Sequence, residues 1–85
     1  MVIWKYPLMI TDTQHVNIPE GGQILSVDNQ WGELFLWALV DLKQTRVSRT
    51  IDIYGTGHSI PNLPRKHLGT VVVNSFVWHV FEQGV

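Results

Sequence analysis

The sequence predicts an all-β fold: a single small domain, residues 1–85, of six to seven short strands forming a sandwich or barrel-like roll. Three observations carry that expectation. Most segments alternate apolar and polar side chains at the period of a strand. Pro and Gly cut the chain into pieces too short for ordinary helices. The segments between the cuts are rich in β-branched and aromatic residues, most clearly Leu68 to Val73 and Phe76 to Glu82.

Each element follows from its own punctuation. Val2 to Tyr6 reads as a strand stopped by Pro7, and Thr13 to Ile18 as a second, closed by the turn Pro19-Glu20-Gly21-Gly22. Gln23 to Gln30 follows, then Trp31-Gly32-Glu33 turns the chain into Leu34 to Val40. That run is continuously apolar, which suits a central strand buried on both faces with Phe35 and Trp37 in the core, or a short buried helix. After the polar connection Asp41 to Thr45, Arg46 to Tyr54 sets Val47, Arg49, Ile51 and Ile53 on one face and Ser48, Thr50, Asp52 and Tyr54 on the other. Two prolines keep Asn62 to His67 out of a regular strand, and the last two strands form a hairpin about Asn74-Ser75.

Composition narrows the function classes. Hydrophobic residues make up 45% and charged residues 15%, an apolar excess that a small chain without Cys resolves by covering surface with another subunit, so a homo-oligomer is expected. The absence of Cys rules out disulfides and thiolate chemistry and agrees with a reducing compartment, the cytoplasm by default. The start of the chain is not patterned as a signal peptide and no apolar run is long enough for a membrane helix. A formal charge of -1 gives no footprint for duplex nucleic acid.

Lys5-Tyr6-Pro7-Leu8, Ile18 to Val27, Leu36-Trp37-Ala38-Leu39-Val40-Asp41 and Ile53-Tyr54-Gly55-Thr56-Gly57-His58-Ser59-Ile60-Pro61 together resemble a family of short uncharacterised proteins of tailed bacteriophages and prophages. The ending Val77 to Glu82 fits the same pattern. The resemblance spans nearly the whole chain and implies a phage origin and a small accessory role, with no catalytic residue to carry over. By analogy with phage accessory proteins of this size, it implies antagonism of bacterial defence, either by sequestering a nucleotide signal or by binding a defence protein.

The candidate ligand residues centre on one loop. Gly55-Thr56-Gly57-His58 ends a strand with backbone amides, a hydroxyl and an imidazole, which suits either an anion cradle or a plain turn whose glycines take positive φ. Arg65 and Lys66 stand nearby beside His67, suited to pair with a phosphate or to sit as solvated charge, and Arg49 interrupts an apolar strand face, either exposed at a strand end or meeting a partner's acid or an anionic ligand. Tyr54 and Trp31 are the residues placed to stack on a base, Trp31 serving equally as an anchor for a protein. The histidines lack the spacing of a zinc site, and no serine has a nucleophile context, so neither metal, cofactor nor catalytic residue is expected. The expected function is binding without turnover of a phosphate-bearing nucleotide by a homo-oligomer, with inhibition of a host protein, or a minor virion or assembly role, as the alternative.

Overall fold

Seven strands make up the computed structural model, which describes residues 1–85: β1 (Val2–Leu8), β2 (Thr13–Pro19), β3 (Gln23–Gln30), β4 (Glu33–Val40), β5 (Arg46–Gly55), β6 (Arg65–Val73) and β7 (Phe76–Gln83). They form two antiparallel sheets, β1-β4-β3 and β2-β5-β7-β6, which pack face to face without closing into a barrel. Of the two architectures expected, the sandwich is the one adopted.

The core lies between the sheets. Leu34, Leu36, Ala38 and Val40 of β4 face Ile51 and Ile53 of β5, Val71 and Val73 of β6, and Val80 of β7, with Leu8, Val16 and Ile18 completing the cluster. Period-two alternation is what delivers these residues to one side of each strand. The strand bounds differ from expectation in two informative places. Pro7 does not stop β1, which continues to Leu8, because β1 is an edge strand and an edge position can lack an N–H. β6 begins at Arg65, directly after Pro64, so Arg65, Lys66 and His67 are strand residues.

The central strand β4 is not buried equally on its two faces. Its inner row has core burial, whereas Phe35, Trp37 and Leu39 lie on the outer face of the three-stranded sheet, in register with Pro7, Lys5 and Ile3 of β1. Phe35 is buried, as expected, but on this outer face and not between the sheets, and Trp37 is only half-buried. They cover each other, with ring centroids 6.0 Å apart, and Lys5 Nζ lies 4.5 Å from the Phe35 centroid.

The sheets meet most closely where β3 passes β6. A side chain at Gly69 would place its Cβ 2.6 Å from Cγ2 of Val27, so only hydrogen fits there, and Asn29 Nδ2 donates to the Val72 carbonyl at 3.0 Å across the same seam. A register shift between His67 and Gly69 turns Leu68 towards the core next to this seam. Gly69→Ala is expected to destabilise the fold by about 1–3 kcal/mol through overpacking, read as a lower urea midpoint with an unchanged m-value.

Candidate functional site

β5 and β6 both run antiparallel to β7, which lies between them, and so run parallel to each other. The chain leaving Gly55 must return the length of the sheet before it can enter β6, and residues 56–64 make that crossover. Asp52 and Tyr54 point to the outer face, yet they are 0% and 6% exposed, whereas Ser48, earlier in the same row, is exposed. Thr13 and Gln83 cover Asp52, Arg65 and Phe81 pack on Tyr54, and His58, Ser59 and Pro61 of the crossover line an open cavity of about 480 Å³ together with Asp12, Thr13 and Tyr54.

The crossover starts with a turn closed on itself. His58 N donates to the Gly55 carbonyl at 3.1 Å, and Gly55 N donates to His58 Nδ1 at 3.2 Å. Gly57 has φ of +90°, and a Cβ at Gly55 would come within 3.0 Å of the His58 ring. One glycine thus supplies a left-handed angle and the other makes room for an imidazole. Two of the loop's amides are engaged inside the turn and do not form part of an anion cradle. Thr56 Oγ1 hydrogen-bonds His79 Nε2 at 2.8 Å, and the chain continues from His79 Nδ1 to Thr70 Oγ1 and on to His67 Nε2, each at 3.1 Å. This line of hydroxyls and imidazoles ties the start of the crossover to β7 and β6.

A buried carboxylate anchors the other end of the face. Asp52 accepts hydrogen bonds from Thr13 Oγ1 and from Gln83 Nε2, both at 3.0 Å. Burial holds the Tyr54 hydroxyl above its ordinary pKa, the Asp52 charge and hydrogen bond add to the rise, and Arg65 opposes it. The Arg65 guanidinium lies over the Tyr54 and Phe81 rings, 5.9 and 5.7 Å from their centroids, with Nε and Nη2 buried and without hydrogen-bond partners.

The structure therefore brings Tyr54, Gly55, Thr56, Gly57 and His58 together, with Arg65 against Tyr54. It does not bring the others to them. Lys66 alternates to the opposite side of β6, in register with Glu82. Arg49 is held by Glu82 in a two-bond ion pair, Nη2 to Oε1 at 2.7 Å beside Nε to Oε2, and donates through Nη1 to the Gly22 carbonyl.

Trp31 belongs to the other sheet, at the tip of the β3–β4 hairpin, where it is 86% exposed with φ of +56°. Trp31-Gly32 is a two-residue turn with both angles left-handed, the geometry that matches strand twist. Asn29 holds it, its Oδ1 accepting from Gly32 N at 2.8 Å while its amide reaches β6. Lys5 Nζ, 5.5 Å from the Trp31 ring centre, donates to Gln30 Oε1 at 2.7 Å and links the tip to the outer face of its sheet. That face continues through Trp37 to exposed Ile3 and Leu25.

A family model for a domain of unknown function, DUF7352, matches residues 1–85. The chain belongs to that family. No curated protein and no solved structure matches it.

In this DUF7352 chain Asp12 and Ser59 also line the crossover cavity, and no spacing in the sequence marks either as a ligand residue. Asp12 follows the first strand in an irregular connection and carried no motif. It was visible only as a carboxylate beside a strand start. Asn29 was readable as a turn former, though its link to Val72 spans two sheets. Because the raised Tyr54 pKa means that its neutral form is favoured in the fold, the associated stability is fully present below the unfolded pKa of 10.0 and is lost as pH rises through the folded value. Melting temperature is expected to fall above that pH in the wild type, and Tyr54→Phe is expected to shrink that alkaline loss.

Proposed function

We propose that this protein is a phage accessory protein that acts by binding without turnover, docking through the Trp31 hairpin and the adjoining outer face of the three-stranded sheet on a host defence protein in the host cytoplasm. The observation that carries the reading is Trp31 itself. A bulky side chain in the left-handed region costs about 1–2 kcal/mol relative to a residue suited to it, and a Trp at 86% exposure gains little from its own fold. A turn of this shape favours Asn or Gly at that position. A residue unfavourable in both respects is explained by contact with something outside the chain. Ile3, Leu25 and Trp37 extend the apolar surface beside it, and Lys5 places one charge at its margin. The resemblance to short phage proteins supports the biological setting. Homo-oligomerisation belongs to the same proposal, supported by exposed apolar side chains such as Val72 and Phe76 on the other sheet.

A second reading is favoured by a separate observation, the crossover cavity walled by Tyr54 and His58. On this reading the protein sequesters a nucleotide-type immune signal there, with Gly55, Thr56 and Gly57 forming the turn that carries His58, Arg65 stacked on Tyr54, and Arg49 and Lys66 standing away from it. A ligand held in this way raises the melting temperature of the purified protein in a panel of cyclic and linear nucleotides.

Trp31→Asn separates folding from docking. The substitution installs Asn-Gly in a turn that prefers it, so stability is expected to rise by about 1 kcal/mol in urea denaturation. The same variant is expected to lose the host protein that co-purifies with the wild type, and retention of that protein at wild-type yield would overturn the docking reading.

A further inference from the structure

The crossover cavity carries polar groups that the fold does not use. Asp12 bonds to β5 only through its backbone, its carbonyl accepting from Ile53 N at 3.2 Å, which leaves the carboxylate free of any partner in the chain. His58 accepts from Gly55 through Nδ1, so the neutral ring carries its proton on Nε2, and that nitrogen is also without a partner. The Ser59 hydroxyl is likewise unengaged. All three side chains are exposed and line one open cavity of about 480 Å³ whose floor is the buried Tyr54, a volume within the size range of small-molecule sites. Thr13 and Tyr54 form the remaining polar wall, and their hydroxyls are directed to the buried Asp52.

This set of groups selects among ligands. A phosphate is disfavoured because the one formal charge among the lining residues is the negative charge of Asp12, and neither Arg65 nor Lys66 lines the cavity. A metal ion is disfavoured because no three His, Asp or Glu side chains come together. One carboxylate that accepts, flanked by an N–H donor and a hydroxyl that does either, matches a neutral group that both donates and accepts at adjacent atoms. Two neighbouring hydroxyls on a sugar ring have that chemistry: both donate to the two carboxylate oxygens, and their oxygens accept from His58 Nε2 and Ser59.

We infer that the cavity beneath the crossover is a binding site for a vicinal diol, held by Asp12, His58 and Ser59. The inference rests on the second reading above, that this cavity takes a small ligand, and names the part of the ligand it grips: a sugar hydroxyl pair and not a phosphate. A ribonucleoside and a free sugar share that chemistry.

The test is thermal stability of the purified protein at millimolar additive, with five probes: a free pentose, a free hexose bearing a cis-diol, a ribonucleoside, its 2′-deoxy counterpart, and inorganic phosphate. A saturable rise in melting temperature with any diol-bearing probe, absent with the deoxynucleoside and with phosphate, is the expected result. A rise confined to the free sugars identifies a carbohydrate source, and one confined to the ribonucleoside a nucleotide source. Asp12→Asn is expected to weaken the diol response about tenfold or more. Ser59→Ala, a smaller change, is expected to weaken it less and serves if Asp12→Asn does not fold. An equal shift with the deoxynucleoside or with phosphate overturns the diol while leaving the nucleotide reading standing. No shift with any probe overturns both.

Discussion

The ion pair between Arg49 and Glu82 is the interaction on which the rest of the sandwich depends. It joins the inner faces of β5 and β7, and through the Gly22 carbonyl it also holds the turn where the chain leaves one sheet for the other. Three parts of the fold thus converge on one guanidinium. Burial opposes charge on both partners, and two parallel hydrogen bonds offset that penalty. The hydrogen bond to Glu82 is the largest influence on the Arg49 pKa, raising it against burial, so the guanidinium stays charged wherever the protein is folded. An arginine committed in this way is held on the inner face of the sheet, away from Arg65, which lies over Tyr54 on the outer face.

The outer faces of the two sheets then differ in kind. On the four-stranded sheet the crossover lies over hydroxyls, imidazoles and a buried carboxylate, most of them bonded to one another. On the three-stranded sheet an aromatic and aliphatic surface runs from Ile3 through Trp37 and Phe35 towards Trp31, with Lys5 laid across it. The first arrangement suits a small polar molecule seated in an open depression beside the crossover, and the second suits a broad, flat partner. The two proposals occupy separate surfaces and do not compete for residues.

Much of the fold was legible in the sequence because period-two alternation is local. The third strand, the final hairpin and the inner row of the fifth strand needed nothing more. The outer row of β4 was not legible, since an unbroken apolar run does not say whether its second face meets another layer or only neighbouring side chains. At the site, Gly55, Gly57 and His58 were conspicuous, but the reason for Gly55 is an imidazole packed on its backbone, a contact that depends on the turn's exact path. Arg49 and Glu82 lie 33 positions apart, and strand order alone decides that they meet. Asp12 and Ser59 come together only because the crossover returns over the sheet, and no spacing in the chain encodes that.

Strand order also sets a timetable. β7 comes after the other six strands in chain order, and it lies between β5 and β6, which have no other means of joining the same sheet. Before it arrives the crossover has no floor beneath it, because Phe81, His79 and Gln83 all come from β7. Folding of this half of the sandwich therefore waits for β7 and closes long loops in a single late step, which places it among the slower small domains. Until then the apolar strands β5 and β6 have unpaired edges, and the chain is most exposed to association just before β7 docks between them.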